Sequence, residues 1–93
     1  MTKLDTILHQ ELRLSIVSFL ATVEWVEFKK LLEVTSATKG NLSVQISKLQ
    51  DAGYIDVKKS FKKNYPLTEC KLTAGGRTAF ETYVKDLKKL LKI

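Results

Sequence analysis

The sequence predicts one mostly helical α+β domain: three helices, a two-stranded β-ribbon and a long C-terminal helix. Apolar residues recur at three- and four-residue spacing in four separate stretches. Between the third and fourth, from Tyr54 to Leu72, the pattern changes to alternation on either side of a basic tip, as paired strands require. With 93 residues and 44% hydrophobic content the chain can build one core, so residues 1–93 are read as a single domain. A domain of this size buries a limited share of its surface, which makes a partner subunit a natural source of further stability.

From Leu4 to Thr22, Leu4, Ile7, Leu8, Leu12, Ile16, Phe19 and Leu20 keep the spacing of one core face, and the stretch reads as a continuous helix because no Pro or Gly interrupts it. Leu14 and Val17 lie off that face, so a second side of this helix is expected to pack, against a partner subunit. Val23 to Trp25 reads as an extended link. Phe28, Leu31 and Leu32 then mark a helix of two to three turns over residues 26–35, too short to stand alone.

Residues 38–53, TKGNLSVQISKLQDAG, form the stretch around which the chain is organised. Leu42, Ile46 and Leu49 make one apolar stripe, with Thr38 placed to cap the helix and Gly53 placed where its end requires a left-handed residue. Geometry then turns Asn41, Val44, Ser47, Lys48 and Asp51 outward, while Thr38, Lys39 and Gly40 sit at the positive N-terminal end. Small polar groups, one lysine and one valine suit a major groove, where they reach base edges and a thymine methyl; the plain alternative is a solvated helix face.

Ile55 and Val57 open a strand that runs to Phe61, with all three placed towards the core. Lys62 to Pro66 forms the tip, and Leu67 to Leu72 returns. Lys58, Lys59, Lys62 and Lys63 suit the phosphates flanking a groove, or alternatively form a charged edge that blocks strand-to-strand aggregation. Thr73 caps the last helix, whose stripe of Phe80, Tyr83, Val84, Leu87, Leu90 and Leu91 exceeds what the domain's own core needs. Tyr83, Leu87, Leu90 and Leu91, with Leu14 and Val17, are therefore expected at a dimer seam; a membrane-surface helix is the competing reading.

The net charge of +6 is unevenly placed: −1 over residues 1–37, +4 over 38–72 and +3 over 73–93. A basic middle and tail favour a polyanionic partner, since each phosphate neutralised releases condensed counterions. Cys70 is the sole cysteine and His9 the sole histidine, so neither a zinc pattern nor a nucleophile–base pair can be assembled. No metal, no cofactor and no enzymatic activity are expected. The N-terminus does not read as a signal peptide and no long apolar run is present, which places the expected protein in the cytoplasm and off the membrane.

The order of elements is that of a winged helix-turn-helix, and the wording resembles the small prokaryotic winged-helix transcriptional regulators related to the MarR and ArsR groups. The resemblance lies in RLxIVxFL at Arg13 to Leu20, FxxL at Phe28 to Leu31, GNLSxxIxxLxxAGYI at Gly40 to Ile55, PxT at Pro66 to Thr68, and LTxxGRxAF at Leu72 to Phe80, and spans nearly the whole chain. It implies a homodimer that binds specific double-stranded DNA, with Asn41, Ser43, Val44, Gln45 and Lys48 as base-contacting residues. Leu67 stands where similar wings usually carry an arginine. Ala74, Gly75 and Gly76 replace acidic residues, so the last helix is expected to fray at its start. The alternatives are a weakly specific chromatin-like protein and a protein-docking module.

Overall fold

The computed structural model describes residues 3–93. In chain order it contains α1 (Glu11–Leu20), β1 (Val26–Glu27), α2 (Phe28–Thr35), α3 (Lys39–Asp51), β2 (Ile55–Lys62), β3 (Tyr65–Leu72) and α4 (Ala74–Leu91). The architecture is the winged helix-turn-helix, with one strand more than the sequence reading contains.

The first helix is shorter than its apolar spacing suggests. Asp5 Oδ1 accepts from the Ile7 and Leu8 amides at 2.7 and 3.2 Å, and Gln10 Oε1 accepts from the Arg13 amide at 2.8 Å. These side chains satisfy the amides locally, so residues 6–10 form turns and Gln10 caps a helix that begins at Glu11. Leu8 is nevertheless fully buried. The Tyr54 hydroxyl donates to Asp5 Oδ2 at 2.5 Å, tying this turn to the end of α3. That hydrogen bond, then burial and the carboxylate's charge, push the phenol up to about 12, so it stays a donor throughout the physiological range.

Thr38 Oγ1 accepts from the Asn41 amide at 3.1 Å, as its placement predicts. At the other end Gly53 has φ of +79°; its amide reaches Gln50 O at 2.9 Å and the Tyr54 amide reaches Leu49 O at 3.0 Å. This is the Schellman closure, and the positive φ explains the glycine.

The sheet has the order β1-β3-β2, all antiparallel. Val26 lies opposite Cys70 and Glu27 opposite Glu69, so the first two residues of the helix expected over residues 26–35 form a third strand instead, and the helix begins at Phe28. Two residues are too few to show alternation, so only the pairing reveals it. In the wing, Lys62 lies opposite Tyr65, leaving Lys63 and Asn64 alone in the turn with φ of 49° and 67°. Two left-handed residues make a tight turn matched to the strands' twist, and the expected five-residue tip contracts accordingly. Pro66 is tolerated in β3 because β1 reaches only Glu69 and Cys70 and leaves that edge unpaired. Phe61, expected on the core side, is 78% exposed.

The core gathers Leu8, Ile16, Leu20, Leu31, Leu42, Leu49, Ile55 and Cys70 from every layer. Cys70 is fully buried, and desolvation pushes its thiol up to about 11, consistent with a small apolar filler. Val17 and Tyr83 belong to this core as well, at 0% and 3% exposure, and so do not form the outer seam expected of them. The off-face position of Val17 is covered from within the same chain, and the Tyr83 hydroxyl meets His9 Nδ1 at 2.9 Å.

The start of α4 is pinned. Thr73 Oγ1 accepts from the Gly76 amide at 2.9 Å and donates to Gly53 O at 2.7 Å, while the Thr73 amide donates to Tyr54 O at 3.0 Å. Of the glycines that suggested fraying, Gly76 allows α4 to approach the Tyr54 backbone.

Candidate nucleic-acid interface

Three elements build one face. α3 buries Leu42, Ile46 and Leu49 and exposes Asn41, Ser43, Val44, Ser47, Lys48 and Gln50. Val44 is 50% exposed, an isolated apolar group in a polar field, as a methyl contact requires. Gln45 is placed differently from its expected role. It is 8% exposed, its Oε1 accepts from Arg13 Nη1 at 2.6 Å, and its Nε2 donates to Asn41 Oδ1 at 3.1 Å. Arg13 in turn donates from Nε to Ile7 O at 2.6 Å. Gln45 is thus a buried support that orients Asn41. The 3.6-residue period turns position 45 towards α1, a placement that motif likeness cannot register.

The wing divides its lysines between two faces. Lys59 follows Val57 on the side towards α3, where the two residues and Thr68 share a cavity of about 270 Å³ with Ser43, Ser47 and Gln50. Lys58 points the other way: its ammonium lies 3.6 Å from Glu69 Oε1 and 4.6 Å from the centroid of the Trp25 ring. The period of two that places Lys59 towards α3 removes Lys58 from that face. Lys39, Lys62 and Lys63 border a larger cleft of about 700 Å³ together with Lys29 of α2, above a floor that includes Phe28, Leu32 and Leu67. Lys29 was missed by the sequence reading, since only the tertiary fold brings the first turn of α2 opposite the wing tip. Thr38 is exposed at the same helix end as Lys39, with its hydroxyl occupied by the cap.

This arrangement suits a polyanion: the polar groups of α3 adjoin Lys59, and Lys29, Lys39, Lys62 and Lys63 border the neighbouring cleft. Replacing Lys62 and Lys63 together by alanine is expected to weaken binding to all duplexes alike and to lower the salt slope by up to about 2, since each phosphate contact contributes roughly 0.9. Titrations at several salt concentrations measure it, and an unchanged slope places the wing tip off the DNA.

Neither arginine of the chain stands on this face: Arg13 is half-buried beneath α3, and Arg77, though exposed, lies on α4. Arg13 holds Gln45 and Ile7 O, and Arg77 Nη1 donates to Ala21 O at 3.2 Å. The bidentate arginine–guanine contact is therefore not offered on this face, and base reading falls to amide, hydroxyl and ammonium groups. Among the described residues no group of three or more His, Cys, Asp and Glu side chains could hold a metal ion, and no helix is long and apolar enough to cross a membrane.

The comparisons agree with this geometry. An uncharacterized protein of Methanocaldococcus jannaschii is 35% identical over 86 residues, covering 92% of this chain and 94% of that protein. A transcriptional regulator homologue from Pyrococcus horikoshii superposes with a TM-score of 0.86 at 27% identity, over 92% of this chain and 85% of that one. A MarR-family transcriptional regulator from Silicibacter pomeroyi shares the fold at 13% identity with a TM-score of 0.70, over 89% of this chain and 55% of that one. The family model of winged helix DNA-binding domains matches residues 12–91, and the chain belongs to that family.

Proposed function

We propose that the chain is a transcriptional regulator that binds specific sequences of double-stranded DNA as a homodimer, in the cytoplasm of a prokaryotic cell. The observation that carries the reading is the face on which α3 and the lysines of α2, α3 and the wing converge. α3 enters the major groove, with Asn41, Ser43, Val44 and Lys48 at the bases. Ser47 and Gln50 extend the same face. Lys29, Lys39, Lys59, Lys62 and Lys63 take phosphates on either side. The resemblance to a transcriptional regulator homologue over nearly the whole chain supports a regulatory role.

Homodimerisation accounts for the far end of α4, where Leu90, Leu91 and Ile93 are 50%, 56% and 84% exposed beside the half-buried Leu87. Leu14 is half-buried and remains available at the edge of such a seam. Two chains joined there present two reading helices to major grooves about 34 Å apart, which calls for a near-palindromic site.

A weakly specific chromatin-like role is the second reading, favoured by a chain with 14 lysines and only two arginines, neither of them on the α3 face. Selection of bound fragments from genomic DNA separates the two. The regulator enriches one motif, and Asn41→Ala and Lys48→Ala each cost about 1 to 3 kcal/mol on it with folding unchanged. Equal recovery of all fragments supports the chromatin-like role, and parental affinity in both variants removes the outer face of α3 from the interface.

A further inference from the structure

The wing carries two large aromatic groups that neither its own fold nor the proposed dimer uses. Phe61 is 78% exposed and Tyr65 75%, the highest exposures among the large hydrophobic residues described apart from Ile93 near the chain end. Strand edges near a tip are commonly kept polar or charged, and across the ladder Phe61 faces only Pro66.

Their placement differs in a way that selects one of them. Phe61 lies opposite Pro66 in the ladder, and Lys62 opposite Tyr65. Strand alternation puts Phe61 in the row of Val57 and Lys59, the row bordering Ser43, Ser47 and Gln50 of α3, and puts Tyr65 in the opposite row, where it lines the larger cleft with Lys29 and Lys39 and so has a wall to lie against that Phe61 lacks. A tight turn and a complete ladder hold the ring, so it is presented by a rigid ribbon rather than by a loose loop.

We propose that Phe61 is a wedge that enters the minor groove and partly unstacks one base step, with Pro66 filling the gap beside it. The proposal rests on the DNA-binding reading above and adds a contact which that reading does not require. Lys59 shares its row and Lys62 and Lys63 follow it at the tip, a positive setting that attracts phosphates and repels a second copy of the same tip, so a nucleic acid is the fitting occupant. Between two bases a phenyl ring meets π faces on both sides, and apolar side chains inserted in this way kink the duplex. Pyrimidine–purine steps unstack most easily, so the preferred site carries TA or CA/TG where the wing lands, a preference generated without hydrogen bonds to bases. Leu67 stands after the proline, so the wing offers an apolar tip in place of a minor-groove cation.

The test uses the full chain and the tightest duplex it selects from a random pool, resynthesised with 2-aminopurine replacing each adenine in turn. The parent is expected to brighten one or two adjacent positions within a flexible step. Phe61→Ala abolishes that signal and lowers affinity roughly 5- to 150-fold, the range for losing one aromatic–base stack. Phe61→Leu, which keeps an apolar wedge, retains most of both, while Tyr65→Ala retains the signal. The salt slope is unchanged in all three variants, unlike that of the Lys62/Lys63 variant. Because Phe61 is exposed, thermal melts of its variants should match the parent. A selected duplex that brightens nowhere and binds Phe61→Ala as tightly as the parent overturns the wedge and leaves the DNA-binding reading standing. Equal loss on the duplex and on its separated strand also overturns the wedge, because the ring would then stack on unpaired bases. Failure of the parent to select any duplex overturns the DNA-binding reading itself.

Discussion

Gly76→Ala is expected to lower stability by about 3 kcal/mol or more, the upper end of what overpacking a tight core costs. A Cβ at that position would lie 2.1 Å from the Tyr54 carbonyl oxygen and 2.8 Å from Leu72 Cδ1. The leucine can turn away. The carbonyl cannot, because it accepts from the Thr73 amide at 3.0 Å in the junction that joins the end of α3 to the start of α4. Relief requires the first turn of α4 to lift, breaking the Thr73 cap and its bond to Gly53 O. At about 4 to 8 °C per kcal/mol for a domain of this size, the melting temperature should fall by at least about 12 °C. The neighbouring glycine supplies the control. A Cβ on Gly75 would meet only Thr73 Oγ1 at 3.8 Å and Gly53 O at 3.9 Å, ordinary contacts, so Gly75→Ala should stabilise by about 0.5 to 1 kcal/mol through helix propensity alone. Adjacent glycines responding with opposite signs is the expected melt; equal responses would show that the close approach is not a constraint.

Leu90→Glu combined with Leu91→Glu is expected to dissociate the proposed homodimer and to weaken binding to a two-half-site duplex by about 10²- to 10⁴-fold, the usual scale of lost bivalency. Both side chains are half exposed or more, so the altered chain should still fold and melt as a monomer. Binding to a single half-site should be little changed, because α3 and the wing are untouched. That contrast separates a seam from a folding defect. Sedimentation of the parent is decisive: a monomer at tens of micromolar, by order of magnitude for an obligate dimer, removes the proposed homodimer.

Periodicity revealed α3 with both its ends because the information is local. The stripe Leu42, Ile46, Leu49, the cap at Thr38 and the left-handed Gly53 are all set within one segment. The long α4 and the alternation of β3 were legible for the same reason. The first helix was overextended because Leu4, Ile7 and Leu8 keep helical spacing although Leu4 lies before the turns and Ile7 and Leu8 sit in turns held by Asp5. Apolar spacing records which residues are buried, not which backbone amides are satisfied by side chains.

The sequence by itself determined the order of the four helices and the wing, the polar outer face of α3 and the basic character of the wing, since each follows from a helical or strand period read over a few residues. Tertiary structure alone decided which of those charges converge. It separates Lys58 from Lys59, brings Lys29 to the wing tip, turns Gln45 inward to Arg13 and draws Val17 and Tyr83 into the core. It also decided why Gly76 is a glycine, because that depends on a carbonyl 22 residues earlier in the chain. Contacts of this kind depend on how elements dock, and no period within one element carries the position of another.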